Sequence, residues 1–331
     1  MNKNFKLSAN SKLALQIICG FCLALIVIPV LFVMALSIRE EEKVMIPMTK
    51  NEVVEETDTD QFSITVYRSE TSEFETIEFE RYIIGVVAAE MPALFELDAL
   101  RAQAIAARTY AMRILEHEDY MLDTVMHQVF LDDEQLRLRW GEDFDTHFAT
   151  IEAAVTSTKG IVLTYEDELI TPMFFAMSSG ATENSEDVFG ANRPYLRSVA
   201  STGYEARADF EVSERFTLDE LRSAFNDNEI TVDQLSILSH SEGGNVAEAM
   251  IGTEIYTGRQ VREILGLRSA AFTITHGRRH VTFTTYGHGH GVGMSQHGAN
   301  AMALQGYNYE EILQHFYQNV TLVEKNFTNG E

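Results

Sequence analysis

Hydrophobic and polar positions change their spacing several times along this chain. Residues 13–38 contain no charged side chain and exceed the roughly 20 apolar residues that span a bilayer core. Between Phe62 and Val66 apolar and polar residues alternate as in a half-buried strand, whereas the spacing from Phe79 to Val87 is helical. The pattern predicts a membrane-spanning helix followed by a folded domain that begins near Gln61.

The rest of the chain predicts a mixture of helices and strands. Thr217 and Glu220 form a capping-box pattern, and Gly160 and Gly266 suit the residue after a helix end. Further helices are predicted at 97–115, 144–159, 260–265, 294–304 and 309–317. Further strands are predicted at 161–165, 169–175, 272–275 and 280–286. Because helices and strands do not alternate regularly and no repeat is present, the predicted fold class is α+β with antiparallel strands.

The charges beside the apolar run predict an orientation. The run is preceded by three lysines and no acids, Lys3, Lys6 and Lys12. Positive flanks stay on the cytoplasmic side, so we expect residues 1–12 to form a cytoplasmic tail, 13–38 a single-pass anchor, and the remainder an extracytoplasmic domain at the cell membrane. A cleaved signal peptide is the alternative, although the length of the run favours an anchor.

Composition narrows the possible partners. The formal net charge is −25, and the acidic excess lies after the apolar run, which argues against a nucleic-acid partner. Segment 39–60 is acidic and lacks aromatic residues, as expected of a solvated linker. Cys19 and Cys22 both lie in the apolar run, so the predicted domain at 61–325, with a tail at 326–331, contains no disulfide.

One carboxylate has an unusual position. Glu90 lies in register with Ile83, Val86 and Val87 on an apolar helix face, and Pro92 places it in the last helical turn. Desolvation and the helix dipole should both raise its pKa, as suits a general acid. The alternative is a glutamate that snorkels at a helix end or pairs with an arginine.

Glu90 has no evident catalytic partner. Ordinary glycosidases need a second carboxylate, but Glu96 and Asp98 look like first-turn residues of the next helix. A lytic transglycosylase needs only one, since the C6 hydroxyl of the sugar attacks the anomeric carbon. Glu90 could then act first as acid and afterwards as base.

Candidate substrate contacts lie in three places. On the alanine-rich helix, Arg108 and Tyr110 are candidates, whereas Arg101 suits an ion pair equally well. Ser179 and Gly180 belong to a polar turn that could bind sugars or only reverse the chain. A glycine-rich segment contributes the last three candidates, His290, Ser295 and Gln296.

The histidines invite an alternative metal interpretation. His288, His290 and His297 lie close together, but no acid or cysteine accompanies them in the segment from Gly287 to Gly306. His127, beside valine and phenylalanine, suits a structural role. We therefore predict neither a metal nor another cofactor, and a metal-dependent hydrolase remains the alternative.

Several segments resemble the stage II sporulation protein D family in order, from EFERYIIGVVAAEMPALFELDALRAQAIAARTYA to GHGHGVGMSQHGANAMALQGYNYEEILQHFY. The resemblance implies that Glu90 is catalytic. It also implies cleavage of the MurNAc–GlcNAc β-1,4 bond in peptide-stripped peptidoglycan, with formation of 1,6-anhydroMurNAc. Some members hold zinc near the position of His127, but the cysteines required are missing here.

The resemblance further implies a role in septal wall degradation and engulfment during sporulation. The expected partners are peptidoglycan glycan strands and stage II sporulation proteins P, an amidase, and M. A second function class remains open, a glycan-binding scaffold that recruits or activates a cell-wall amidase.

Overall fold

A computed structural model describes residues 62–327 of the chain. Its α-helices are α1 (Phe79–Glu90), α2 (Leu97–Leu115), α3 (Asp133–Trp140), α4 (Phe144–Thr156), α5 (Ser185–Phe189), α6 (Leu218–Phe225), α7 (Gly258–Leu265), α8 (Gln296–Leu304) and α9 (Tyr309–Phe316). Its strands are β1 (Ser63–Arg68), β2 (Glu73–Glu78), β3 (Met121–Leu122), β4 (Ile161–Tyr165), β5 (Glu168–Leu169), β6 (Phe174–Phe175), β7 (Glu211–Thr217), β8 (Leu235–His240), β9 (Val246–Ile251), β10 (Glu254–Thr257), β11 (Phe272–His276), β12 (His280–Tyr286), β13 (Met294–Ser295) and β14 (Thr321–Glu324). Helices and largely antiparallel sheets occur without regular alternation, so the α+β class is confirmed.

The predicted fold included a membrane-spanning helix, and that part of the prediction is corrected. No helix within residues 62–327 is both long and apolar enough to cross a bilayer. The longest, α2, carries Asp98, Arg101 and Arg108 along its length, and such charges are costly in hydrocarbon. The predicted anchor at 13–38 lies outside the described residues.

The largest hydrophobic core surrounds α2. Alanines occupy many of its positions, so neighbouring elements approach from several sides, and α1, α4, α8, α9 and β4 all contact it. Leu100 and Ile105 are fully buried among them. The helix is thus buried on most of its surface and supports both elements that carry the site described below, α1 and α8.

A smaller core lies in residues 211–286. Two three-stranded antiparallel sheets, with orders β10-β9-β8 and β11-β12-β7, pack with α6 and α7 around Leu221, Val261 and Phe283. The predicted capping box of Thr217 and Glu220 is present at the start of α6. Gly266 ends α7 with a φ of 68°, in the left-handed region that glycine adopts readily.

One predicted strand is wrong. The apolar run at 169–175 forms two short strands, β5 and β6, which belong to different sheets. β5 completes a hairpin with β4, whereas β6 pairs in parallel with β13. The run is mostly apolar because it is largely buried, first beside one sheet and then beside the glycine-rich segment.

The glycine-rich segment packs its backbone against residues 173–183. Gly287 has a φ of 73°, and a β-carbon there would come within 2.5 Å of the Met177 carbonyl oxygen. At Gly293 a β-carbon would lie 2.0 Å from the Met173 carbonyl oxygen. The glycines therefore allow two stretches of backbone to run side by side, and this contact fixes the start of α8.

Candidate active site

Glu90 is the last residue of α1, as the sequence predicted. Its neighbours Val86 and Val87 are fully buried, whereas Glu90 itself is half-buried. The chain turns to an extended conformation at Met91, whose N–H still bonds to the Val87 carbonyl oxygen. The carboxylate thus lies on an apolar helix face yet keeps access to solvent.

The segment after β3 supplies a hydrogen bond to this carboxylate. The backbone N–H of Val129 donates to Oε1 of Glu90 over 3.1 Å. The close approach depends on Gly85, because a β-carbon there would lie 2.3 Å from the Phe130 ring and 2.5 Å from the Leu131 carbonyl oxygen. A glycine in the middle of α1 therefore allows Val129 to reach Glu90.

Burial raises the pKa of Glu90 above its ordinary value, and this effect outweighs three opposing ones. The Val129 N–H, the side-chain amide of Gln296 and the positive charge of Arg139 each favour the ionised form. The Arg139 guanidinium also donates to the carbonyl oxygens of Ala88 and Ala89, at 3.3 and 3.0 Å. It therefore offsets the helix dipole, which leaves burial as the cause of the raised pKa.

Gln296, which lies beside Glu90, is hydrogen-bonded to a second buried glutamine. Gln296 begins α8, and its Nε2 donates to Oε1 of Gln103 on α2 over 3.4 Å. Gln103 is fully buried, and its own Nε2 has no hydrogen-bond partner among the described residues. Buried amide groups are usually paired, so this donor marks a place where a further acceptor would be stabilised.

Of the substrate-contact residues predicted from the sequence, Gln296 lies at Glu90 and Ser295 lies beside it. Ser295 is fully buried and caps α8, since its Oγ accepts from the N–H of Gly298. Its role in the structure is thus to fix the helix that presents Gln296.

The remaining predicted contacts are not hydrogen-bonded to Glu90 within the described part of the chain. Ser179 and Gly180 lie in the loop before α5, where the Gly180 carbonyl oxygen accepts from the Ser201 N–H. Tyr110 is half-buried on α2, and burial raises its pKa.

Arg108 lies in the protein interior. Its guanidinium is fully buried and bonds to both carboxylate oxygens of Glu80, at 2.8 and 2.7 Å. It also donates to the carbonyl oxygens of Val155 and Ile161. These contacts hold α1, α2, α4 and β4 together. Arg108 therefore has a structural role, which differs from the substrate contact predicted from the sequence.

The histidines of the glycine-rich segment make separate contacts. Nδ1 of His290 accepts from the Val292 N–H, so Nε2 carries the proton and donates to the Phe174 carbonyl oxygen. Burial lowers the pKa of His290 to about 4, and that of His297, whose ring meets Phe95, also to about 4. Across residues 62–327, no group of three or more histidine, cysteine, aspartate or glutamate side chains is arranged to hold a metal ion.

Three groups at the site carried no recognisable sequence signal. The Val129 N–H is a backbone group, and Arg139 reaches the helix end from α3, some 50 residues away in sequence. Gln103 stood out only as a lone amide within an alanine-rich helix. The groups that shift the pKa of Glu90 are amides and a guanidinium, and none of them is a second carboxylate.

The comparisons with known proteins agree with the resemblance found in the sequence. The family model described as "Stage II sporulation protein" matches residues 67–165, which include Glu90. Stage II sporulation protein D from Bacillus amyloliquefaciens is 39% identical over 273 residues, and that from Bacillus subtilis (strain 168) is 38% identical over 274; each alignment covers 79% of both chains. The amidase enhancer of Bacillus subtilis (strain 168) is 27% identical over 293 residues, 72% of this chain and 40% of that protein. The chain therefore belongs to the stage II sporulation protein D family.

Proposed function

We propose that this protein is a lytic transglycosylase that cleaves the MurNAc–GlcNAc β-1,4 bond of peptide-stripped peptidoglycan strands. The observation that carries the proposal is the state of Glu90, a carboxyl whose pKa is raised by burial while amides surround it. A raised pKa keeps a carboxylic acid protonated closer to neutral pH, where it can donate to a leaving oxygen.

The proposed reaction uses Glu90 twice. Its carboxylic proton passes to the glycosidic oxygen as the bond from that oxygen to C1 of the muramic acid breaks. The C6 hydroxyl of the same sugar attacks C1, and its proton passes to the Glu90 carboxylate. The products are a 1,6-anhydro sugar and a strand with a new free hydroxyl, and Glu90 is again protonated.

The surrounding groups have roles in this cycle. The Val129 N–H and the Gln296 amide hold the carboxylate in place and stabilise it after the first proton transfer. Arg139 stabilises the same charge from the helix end. Water is not required as a nucleophile, so no second carboxylate has to activate it.

The test is mass spectrometry of the products released from peptide-free peptidoglycan strands. We expect ends of 1,6-anhydro-N-acetylmuramic acid from the parent protein and none from Glu90→Gln. Glu96→Gln is the matched control, because Glu96 is exposed and follows Glu90 closely in sequence. Reducing ends would indicate a hydrolase, and loss of products in Glu96→Gln would indicate a second catalytic carboxylate.

We propose further that the protein acts at the septal cell wall on the extracytoplasmic side during sporulation and engulfment, with stage II sporulation proteins P and M as partners. Membership of the stage II sporulation protein D family supports this role. Co-purification of the two partners with tagged protein from sporulating cells tests it, with vegetative cells as the control.

A second candidate function is a glycan-bound scaffold that stimulates a cell-wall amidase. The similarity to a protein named amidase enhancer favours it. Stimulation of an amidase by Glu90→Gln, on strands that neither protein variant cleaves, would support the scaffold and contradict the transglycosylase. The two functions can also coexist, in which case only cleavage depends on Glu90.

A further inference from the structure

A cavity lies between α5 and the smaller core, away from the residues that contact Glu90. Its volume is about 600 Å³, which suits a ligand of one or two sugar rings. The residues that matter for its chemistry are Glu183, Asp187, Phe189, Glu242, Arg262 and His290. None of them is used in the reaction proposed above.

Glu183 is an incompletely paired carboxyl in the wall of this cavity. The residue is 1% exposed, and its Oε1 accepts from the Asn245 N–H over 2.9 Å. Its Oε2 has no hydrogen-bond partner among residues 62–327. The Ser241 side chain and the Gly243 backbone also favour its ionised form. Glu183 is therefore held in place by its own neighbours and adds a buried negative charge to the cavity wall.

Arg262 leaves part of its guanidinium available to the cavity. Its Nε donates to the Leu267 carbonyl oxygen over 3.3 Å, and the described residues provide no hydrogen bond or salt bridge to its two Nη atoms. The neighbouring Arg259 differs, because it pairs with Glu263 at 2.7 Å and donates to the Val188 carbonyl oxygen. Arg262 therefore forms no salt bridge within residues 62–327, although the charge of Glu263 attracts it.

The other walls suit a sugar rather than a simple anion. Asp187 and Glu242 both accept from the side-chain amide of Asn184, at 3.1 and 3.0 Å, and retain lone pairs for hydroxyl donors. Phe189 is 40% exposed, and its ring lies beside His290 and under the Arg259 guanidinium, 5.7 Å from the ring centroid, so part of its apolar surface remains available to a ligand. Asp187 and Glu242 would repel a phosphate or another polyanion more strongly than a ligand with one negative charge, and they would accept hydrogen bonds from hydroxyl groups.

We infer that this cavity is a second binding site for a saccharide that bears one carboxylate. The carboxylate would pair with Arg262, ring hydroxyls would donate to Asp187 and Glu242, and a ring face would pack on Phe189. The inference rests on the proposed function only for the choice of N-acetylmuramic acid as the acidic sugar. Such a site would hold the glycan strand while Glu90 acts on another part of it.

The experiment is calorimetric titration of full-length Glu90→Gln protein, which binds without cleavage, with the disaccharide of N-acetylglucosamine and N-acetylmuramic acid. The comparison ligand is chitobiose, which lacks the lactyl carboxylate. We expect two binding sites for the acidic disaccharide. At the second site its affinity should exceed that of chitobiose by about ten- to a hundred-fold, as for one charged hydrogen-bonded pair.

Adding Arg262→Gln should reduce the stoichiometry from two to one, whereas Arg222→Gln should leave it at two. Arg222 is a matched control because it also lies near a helix end and donates Nε to a following carbonyl, that of Ile230. If Arg262→Gln fails to fold, Phe189→Ala provides the second test and should lower the affinity of this site for both ligands. A single site in the parent, or two sites that survive Arg262→Gln or Phe189→Ala, would overturn the inference.

These results are separable from those on catalysis. Cleavage by the parent protein together with one saccharide site would contradict the second site and leave the transglycosylase intact. Two sites without any cleavage would support the second site and contradict the transglycosylase.

Discussion

Glu90 and Glu183 are both carboxyls whose pKa is raised by burial, yet their surroundings differ. Glu90 is half-buried at a helix end and is held by the Val129 N–H and an amide side chain. Glu183 is almost fully enclosed in a loop and retains an unpaired oxygen. Burial alone therefore does not identify a catalytic acid. Both carboxyls have neighbours that favour the ionised form, Ser241, Gly243 and Asn245 at Glu183 and Val129, Gln296 and Arg139 at Glu90. The distinguishing feature of Glu90 is that its carboxylate keeps access to solvent.

The largest effect should come from changing Glu90 itself. Glu90→Gln should lower the rate of glycan cleavage by about 10²–10⁴-fold, because general acid and base catalysis is lost. Glu90→Asp keeps the acid but withdraws it from the Val129 N–H, and a misplacement of about 1 Å can cost on the order of 10²-fold. Rates on peptide-free strands measure both. Equal activity of Glu90→Asp and the parent would contradict the requirement for position.

A buried cation provides the next test, since Arg108 was predicted to contact substrate but lies in an ion pair with Glu80. Arg108→Ala should lower the free energy of unfolding by about 3–5 kcal/mol, because it empties a fully buried position and leaves Glu80, whose side chain is only 14% exposed, without its partner. Arg101→Ala, which breaks the partly exposed pair with Asp98, should cost about 0–1 kcal/mol. Urea unfolding of the two variants measures the difference. A loss of unfolding free energy in Arg108→Ala that is no larger than in Arg101→Ala would contradict the structural role of Arg108.

The position of Glu90 was predictable from sequence because it depends on local rules. The helical spacing from Ile83 to Val87 set its face, and Pro92 set the helix end. Its partners were not predictable, because Val129 and Gln296 approach through loops and carry no periodic signal. The predicted effect of the helix dipole on the pKa of Glu90 is opposed by the Arg139 guanidinium, which α3 supplies from a distant part of the sequence.

The same limit applies to the fold. Helices with strong apolar periodicity or capping signals were predicted well, and α1 and α2 have the expected bounds. The strands β8 and β10 were missed because few of their side chains are buried, so apolar alternation is weak. Arg108 was assigned to the substrate because its partner Glu80 lies 28 residues earlier, on a different helix.

The pH dependence of cleavage tests whether Gln296 controls the pKa of Glu90. Its amide lowers the pKa of Glu90, so Gln296→Leu should raise that pKa further. Because the first step needs protonated Glu90, activity falls as the pH rises through this pKa, and the alkaline limb of the profile should move to higher pH. Gln305→Leu, at the other end of α8, is the control. A limb that stays in place, or moves to lower pH, would contradict the amide contact.

The smallest effect concerns the pH dependence of stability at Glu183. Its pKa is higher in the folded protein than in the unfolded chain, so the unfolded state loses this proton first as the pH rises. Its contribution to stability is therefore fully present below the unfolded pKa of about 4.3 and is lost as the pH rises through the folded value. Glu183→Gln cannot ionise, so the variant should gain stability relative to the parent between acidic and neutral pH. Urea unfolding of both proteins across this range measures the difference in their free energies of unfolding. The part of this difference that depends on pH should disappear at low pH, where Glu183 is protonated in both the folded and the unfolded states. A parent that becomes more stable relative to Glu183→Gln as the pH rises would contradict the raised pKa, because it would mean that the neighbours of Glu183 stabilise its ionised form by more than burial disfavours it.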